Sequence, residues 1–229
     1  MAGSQLIFPF EERPDHAVEA FIVAASNRHA FVWIERWPDW PFVALVLVGP
    51  AGCGKTHLAT LWQERSGAAA IDLATAGIEQ AAALTAGGAP VLVEDCDRIL
   101  NETPTERPLL QLYNLAKESG SRLLLTARQP PSQWRLGLPD LKSRLNSAMV
   151  VAIDPPDDEL LRSVAAKLFE DKQIEVKEEV VAYLLVRCER TVASLSQAVE
   201  MLNTISKERQ RPITVPMARE VLFQSDDED

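Results

Sequence analysis

The chain has 229 residues, enough for one or two domains around a buried core. Apolar residues make up 47% and charged residues 24%. This is the balance of an ordinary globular protein, and no apolar run approaches the ~18 residues of a membrane span. The formal net charge is −10, with Asp226-Asp227-Glu228-Asp229 ending the chain; an acidic balance argues against independent duplex binding, which calls for a basic face, and favours protein partners.

From the N-terminus, residues 1–14 read as a flexible arm containing Gln5-Leu6-Ile7-Phe8-Pro9-Phe10. The opening stretch has neither the basic start nor the long apolar segment of a secretory signal. Cys53, Cys96 and Cys188 are scattered, in neither a disulfide framework nor a zinc spacing, which suits a cytoplasmic protein. Ala17 to Trp37 carries apolar residues at helical spacing and stops at Pro38 and Pro41. Phe42 to Val48 is a continuous apolar run of the kind buried on both faces of a parallel sheet. A glycine-rich loop and a helix to about Glu64 follow. Further strands are expected at Ala69 to Leu73, Pro90 to Glu94, Arg122 to Thr126 and Met149 to Ile153, with a helix over Leu109 to Lys117. Strands alternating with helices predict an α/β fold, a parallel sheet sandwiched by helices, over residues 15–156.

Beyond Pro155-Pro156 the spacing becomes helical throughout. Leu160, Leu161, Val164 and Leu168 form one stripe, Val181, Leu184, Leu185 and Cys188 a second, and Val192, Leu195, Val199 and Leu202 a third. Thr214 and Pro216 open a last short helix. Residues 157–224 are expected to form a small all-helical domain, with an acidic tail at 225–229.

The chemistry is concentrated in Gly49-Pro50-Ala51-Gly52-Cys53-Gly54-Lys55-Thr56, which fits the P-loop pattern between a buried-type strand and a helix. Glycines let backbone N–H groups turn toward phosphate oxygens, and the helix N-terminus adds positive potential. Lys55 is expected at the β- and γ-phosphates of ATP or ADP, and Thr56 on Mg²⁺. His57 closes the segment and reads as a packed histidine of the first helical turn. Cys53 reads as loop filler. Val91-Leu92-Val93-Glu94-Asp95 is a second apolar strand ending in acids, placing Glu94 and Asp95 near the metal, one acting through water and the next orienting the attacking water. Five tryptophans, Trp33, Trp37, Trp40, Trp62 and Trp134, lack the basic interleaving of a single-strand platform and read as core and interface residues.

Several further stretches carry a family likeness. Phe21-Ile22-Val23 with Ser26-Asn27-Arg28-His29-Ala30, Leu123 through Pro131, Leu141-Lys142-Ser143-Arg144-Leu145, and Val151 through Pro156 occur in order. In this the chain resembles the AAA+ module of the bacterial replication initiator DnaA and, more closely, the short DnaA-related proteins of the Hda type. The likeness spans about residues 17 to 223. It implies an AAA+ P-loop fold with a helical lid, a sensor threonine at Thr126, and an arginine finger at Arg144 acting on a neighbour's nucleotide. It also implies docking of Gln5, Leu6, Phe8 and Phe10 on the β sliding clamp. The implied function is negative regulation of replication initiation by stimulating ATP hydrolysis on DnaA, with DNA reached only through the clamp and a homodimer possible. The chain stops just after the lid, so the initiator's DNA-reading domain is not expected.

Two departures from the pattern bear on activity. Glu94 precedes Asp95 where the family has aspartate first, and Ala193 stands where the lid's nucleotide-sensing arginine would be, with Arg190 three positions back. Both point to weak hydrolysis by the chain itself and to a nucleotide, ADP in particular, held structurally. A helicase loader of the DnaA type and a stand-alone ATPase are the alternative readings. The arm is too short for a loader's helicase-binding domain.

Overall fold

The computed structural model describes residues 21–75, 78–102 and 106–225. The arm with Gln5, Leu6, Phe8 and Phe10, and the terminal acidic tail, lie outside these residues.

Five parallel strands form one sheet: β1 (Ala44–Val48), β2 (Ala69–Ala70), β3 (Val91–Val93), β4 (Leu123–Ala127) and β5 (Met149–Ala152), in the order β2-β3-β4-β1-β5. Every residue of β1, β3 and β4 is buried. Their unbroken apolar runs have this cause: helices cover both faces, so neither side of the pleat tolerates a polar residue. On one face Ala44, Val46 and Val48 pack with Leu109, Leu112, Leu141 and Leu145. These come from α5 (Glu106–Ser119) and α6 (Pro139–Asn146), and α3 (Ile78–Thr85) adds Ala81. On the other face Leu45 and Leu47 meet Ala30 and Ile34 of α1 (Arg28–Glu35) and Leu58, Ala59 and Trp62 of α2 (Lys55–Ser66). The result is the expected parallel sheet between two helical layers. A short α4 (Cys96–Glu102) follows β3.

The sequence reading erred at three places. The helix expected from Ala17 begins only at Arg28 within the described residues. The Asn27 amide donates to Ile22 O at 2.9 Å and its Oδ1 accepts from Ala24 N at 2.9 Å, which binds Phe21 to Ala24 into a non-helical turn. The second strand is two residues long rather than five, because Asp72 accepts from Ala74 N at 2.9 Å and turns the chain away. Helices α3, α4 and α6 were not foreseen as helices.

Four helices complete the chain: α7 (Asp158–Asp171), α8 (Glu178–Arg187), α9 (Val192–Arg209) and α10 (Val215–Ser225). They share their own core, in which Leu161, Ala165 and Phe169 meet Val181, Leu184, Leu195, Val199 and Leu202. Asp157 caps α7 by accepting from Leu160 N at 2.7 Å, and Thr191 caps α9 by accepting from Ser194 N at 3.1 Å. Among the described residues no helix is long and apolar enough to cross a membrane.

Four of the five tryptophans cluster under α1 and α2. Trp62 stacks on Trp40 at 5.3 Å and meets Trp37 edge-on at 5.3 Å, while the Trp33 backbone carbonyl accepts from Trp40 Nε1 at 2.7 Å. Trp62 is fully buried. Trp62→Ala is therefore expected to destabilise the protein by ~3–5 kcal/mol, read as a lower urea midpoint. Trp62→Phe should retain more than half of that stability, because it keeps a ring against Trp40.

Candidate functional site

The strand pairing builds the site. Val48 at the end of β1 lies opposite Ala127 at the end of β4, and Gly49 N donates to Ala127 O at 3.2 Å. The phosphate loop thus starts at the carboxyl edge of the sheet, the edge where open parallel sheets bind ligands. Gly52 and Gly54 take positive φ of 72° and 100°, which turns the loop into α2 with Gly54 as its N-cap. Lys55 is buried, and its Nζ donates to Gly49 O at 2.7 Å and Pro50 O at 2.8 Å. Its ammonium is thereby held against the glycine-rich loop. Burial raises the pKa of the Cys53 thiol against the opposing pull of Lys55, so the thiol stays protonated at neutral pH and is a poor nucleophile.

A cavity of about 520 Å³ opens between this loop and helices α7 and α9. Ala51 through His57 line it from the loop side, with Asp95, Arg128, Phe21 and Asn27 from the sheet and its flank. Leu160, Val164 and Leu168 of α7 line it from the far side. The α7 stripe read from the sequence therefore divides: Leu161 enters the helical core, Val164 and Leu168 pack against that core while also lining the cavity, and Leu160 lines the cavity. At the N-terminus of α9 the lining residues are Val192, Ala193 and Ser196. His57 is half-buried and meets the edge of Phe21 at 5.1 Å, as expected of a packed histidine.

The acidic pair separates. Asp95 lines the cavity, whereas Glu94 does not, and one Glu94 carboxylate oxygen is buried with no hydrogen bond among the described residues. Asp95 has a positive φ of 51° and donates its backbone N–H to Thr126 Oγ1 at 3.0 Å. Thr126 is buried and outside the cavity lining, so its observed task is to hold the backbone of Asp95. Thr56 is exposed and lines the cavity together with the half-buried Asp95. No cluster of three or more metal-ligating side chains occurs among the described residues. One hydroxyl and one carboxylate with phosphate oxygens is the sparse oxygen set that suits Mg²⁺, so the residues fit the cation.

Arg144 lies elsewhere. Leu141 and Leu145 are fully buried and anchor α6, which leaves Lys142 and Ser143 exposed and Arg144 half-exposed. The Arg144 guanidinium pairs with Asp140 at 3.0 Å and stands 5.8 Å from the centre of the Tyr113 ring. It does not line the chain's own cavity. Arg190 does not either; it pairs with Asp158 at 2.6 Å. Sequence reading gave Arg128 no role of its own, although it lies within the Leu123 to Pro131 stretch. The available signal was its place one residue beyond a buried strand.

Residues 158–222 match the family model described as the lid domain of Hda. The fold resembles domain III of DnaA from Thermotoga maritima, with a TM-score of 0.77 at 20% identity, covering 92% of this chain and 97% of that one. It also resembles AMPPCP-bound DnaA from Aquifex aeolicus, at a TM-score of 0.68 and 19% identity, covering 86% and 69%. A Thermotoga maritima RuvB mutant, P216G, superposes at a TM-score of 0.69 and 15% identity over 91% and 72%. The architecture is therefore AAA+.

Gly52 sits against the lid. A Cβ added there would lie 2.6 Å from Thr191 Cγ2, so Gly52→Ala must displace the loop or α9. The expected result is a loss of ADP affinity of about tenfold or more, ~1.4 kcal/mol, in calorimetry. Adding Thr191→Gly should restore part of it by removing the contact but not the backbone strain. Wild-type affinity in the single variant would mean that the contact between loop and lid is not needed for binding.

Proposed function

We propose that this chain, a DnaA-related AAA+ protein with an Hda-type lid, is a negative regulator of replication initiation that acts on nucleotide bound to DnaA. The observation that carries this reading is the Hda lid match at residues 158–222 on a fold like that of DnaA domain III. The chain's own cavity holds ATP or ADP with Mg²⁺: Lys55 and the loop N–H groups bind the phosphates, and Thr56 and Asp95 supply the cation's protein oxygens. Mg²⁺ neutralises phosphate charge when bound. Asp95, rather than Glu94, is the acid toward the nucleotide.

Arg144 is the finger for a neighbour's nucleotide. Its position outside its own cavity supports this role. Its pair with Asp140 is a partly exposed i,i+4 contact, close to the kind worth ~0–1 kcal/mol, which a phosphate can displace. In the reaction the guanidinium stabilises the charge that spreads over the transferred phosphoryl oxygens. Residues 5–10 dock on the β sliding clamp by filling its pocket with spaced apolar groups and a glutamine contact. DNA then enters through the clamp.

Arg144→Ala should keep nucleotide and clamp binding while reducing stimulation of DnaA hydrolysis by roughly 10³–10⁵-fold, the range of trans arginine fingers. Arg144→Lys should recover little, since an ammonium lacks the planar fork. Single-turnover hydrolysis on prebound DnaA, with DNA-loaded clamp in excess, measures both; wild-type rates with Arg144→Ala would remove the finger assignment. Replacing Gln5 and Leu6 by Ala should abolish co-elution with clamp at unchanged nucleotide affinity. Persistent co-elution would move the docking segment elsewhere.

A further inference from the structure

Helix α6, which carries Arg144, is mounted on α5. At its start Glu106 of α5 accepts from Gly137 N at 2.8 Å through Oε1 and from Leu138 N at 2.7 Å through Oε2. Along its length Leu141 and Leu145 are buried in the core that Leu109, Leu112 and Tyr113 of α5 also enter. The backbone of Arg144 is therefore set by the fold. Its side chain is a separate matter, because a long side chain has many rotamers and ordering it has an entropic cost.

Two contacts bear on the guanidinium. Asp140, one turn back on α6, takes one edge: Nη2 donates to Oδ2 at 3.2 Å, and Nε lies 3.0 Å from Oδ1. Tyr113 takes a face, with its ring centre 5.8 Å from the guanidinium carbon, within reach of cation–π attraction. A phosphate acts differently on the two. Its oxygens compete with a carboxylate for the same N–H donors, so Asp140 gives way when phosphate arrives. A ring face uses none of those donors and leaves them free. Tyr113 is itself buried, and burial raises the pKa of its phenol against the opposing pull of Arg144. The ring is therefore uncharged at neutral pH, and the contact is one of face and cation rather than an ion pair.

We infer that Tyr113 is the positioning residue for Arg144, its ring holding the guanidinium in place once a neighbour's phosphate has taken over from Asp140. The inference rests on the finger reading above. Packing in the core calls only for an apolar side chain of suitable size at position 113; holding a cation calls for an aromatic face. Orientation carries much of the weight in such chemistry, where a misplacement of ~1 Å can cost ~10²-fold. A guanidinium without the ring still attracts phosphate, but it spans two oxygens of the transition state less often. The loss then falls on the maximal rate rather than on the association of the chain with its partner.

The test is single-turnover hydrolysis on ATP-bound DnaA with DNA-loaded clamp, titrated with the full chain. Tyr113→Leu keeps an apolar side chain in the core and removes the ring. It should lower the maximal rate about ten- to a hundredfold and leave the concentration for half-maximal stimulation within about twofold. Tyr113→Phe, which keeps the ring, should hold the maximal rate within about threefold of wild type. A wild-type maximal rate in Tyr113→Leu, equal losses in the leucine and phenylalanine variants, or a loss confined to the half-maximal concentration would overturn the inference. Arg144→Ala separates the two levels. If it stimulates as wild type does, the finger reading fails; if it loses stimulation while Tyr113→Leu keeps it, only the role of Tyr113 fails. Thermal melting checks the fold, and Tyr113→Met carries the same comparison should the leucine variant not fold.

Discussion

The backbone pairing of β1 with β4 is the constraint on which the site depends. It runs in parallel from Ala44 opposite Leu123 to Val48 opposite Ala127, and the hydrogen bond from Gly49 to Ala127 O carries it one step into the phosphate loop. Side chains alternate across a strand, so a slip of one residue would turn Leu45 and Leu47 out of the layer they share with α1 and α2. Burial of Ala44 through Val48 on both faces thus fixes register by packing. Once register is fixed, the ends of β1, β3 and β4 are fixed too. The loop, Asp95 and Arg128 meet because their strands end together, although they are far apart in sequence.

Hydrogen bonds then refine what the sheet has brought together. Thr126 is a polar residue in an otherwise apolar strand, and its buried oxygen accepts the N–H of Asp95, whose positive φ would otherwise be poorly supported. Asp97 does the corresponding work for Arg128 and Gln129. These polar groups cost desolvation and are tolerated because each finds a partner across a strand junction. Gly52 completes the arrangement from the other side, since its missing side chain lets Thr191, the cap of α9, rest on the loop. Loop and helical lid are therefore in direct contact at Gly52 and Thr191.

How much of this was legible in the sequence depended on whether the signal was local. The P-loop and the apolar runs of β1, β3 and β4 were readable because glycine spacing and two-sided burial each leave a mark within a few residues. The beginning of α1 was not, because the Asn27 side chain closes a turn that apolar spacing alone does not reveal. In α6 the pair Leu141 and Leu145 was read as a family box without its helical spacing being used. The α7 stripe shows a different limit. Periodicity marks Leu160, Leu161, Val164 and Leu168 as apolar, yet only the packed structure shows that Leu161 lies within the helical core while Leu160, Val164 and Leu168 also line a cavity. Arg128 was read only as part of the Leu123 to Pro131 stretch, because its place at the cavity follows from the strand order β3-β4-β1, which is a property of the whole sheet.

The two arginines illustrate how one fold separates two tasks. Arg128 follows a central strand and lines the chain's own cavity. Arg144 sits on a helix whose leucines are buried beneath it, outside that cavity. A residue placed inside contributes to what the chain holds, whereas one placed outside can contribute only to what the chain meets. On the reading proposed here, the chain's own nucleotide then stabilises the seating of the lid on the loop, and Arg144 remains available to a partner's nucleotide. Weak hydrolysis in the chain's own site would favour that division, because a nucleotide that persists keeps the lid and the loop in one arrangement while chemistry proceeds in the neighbour.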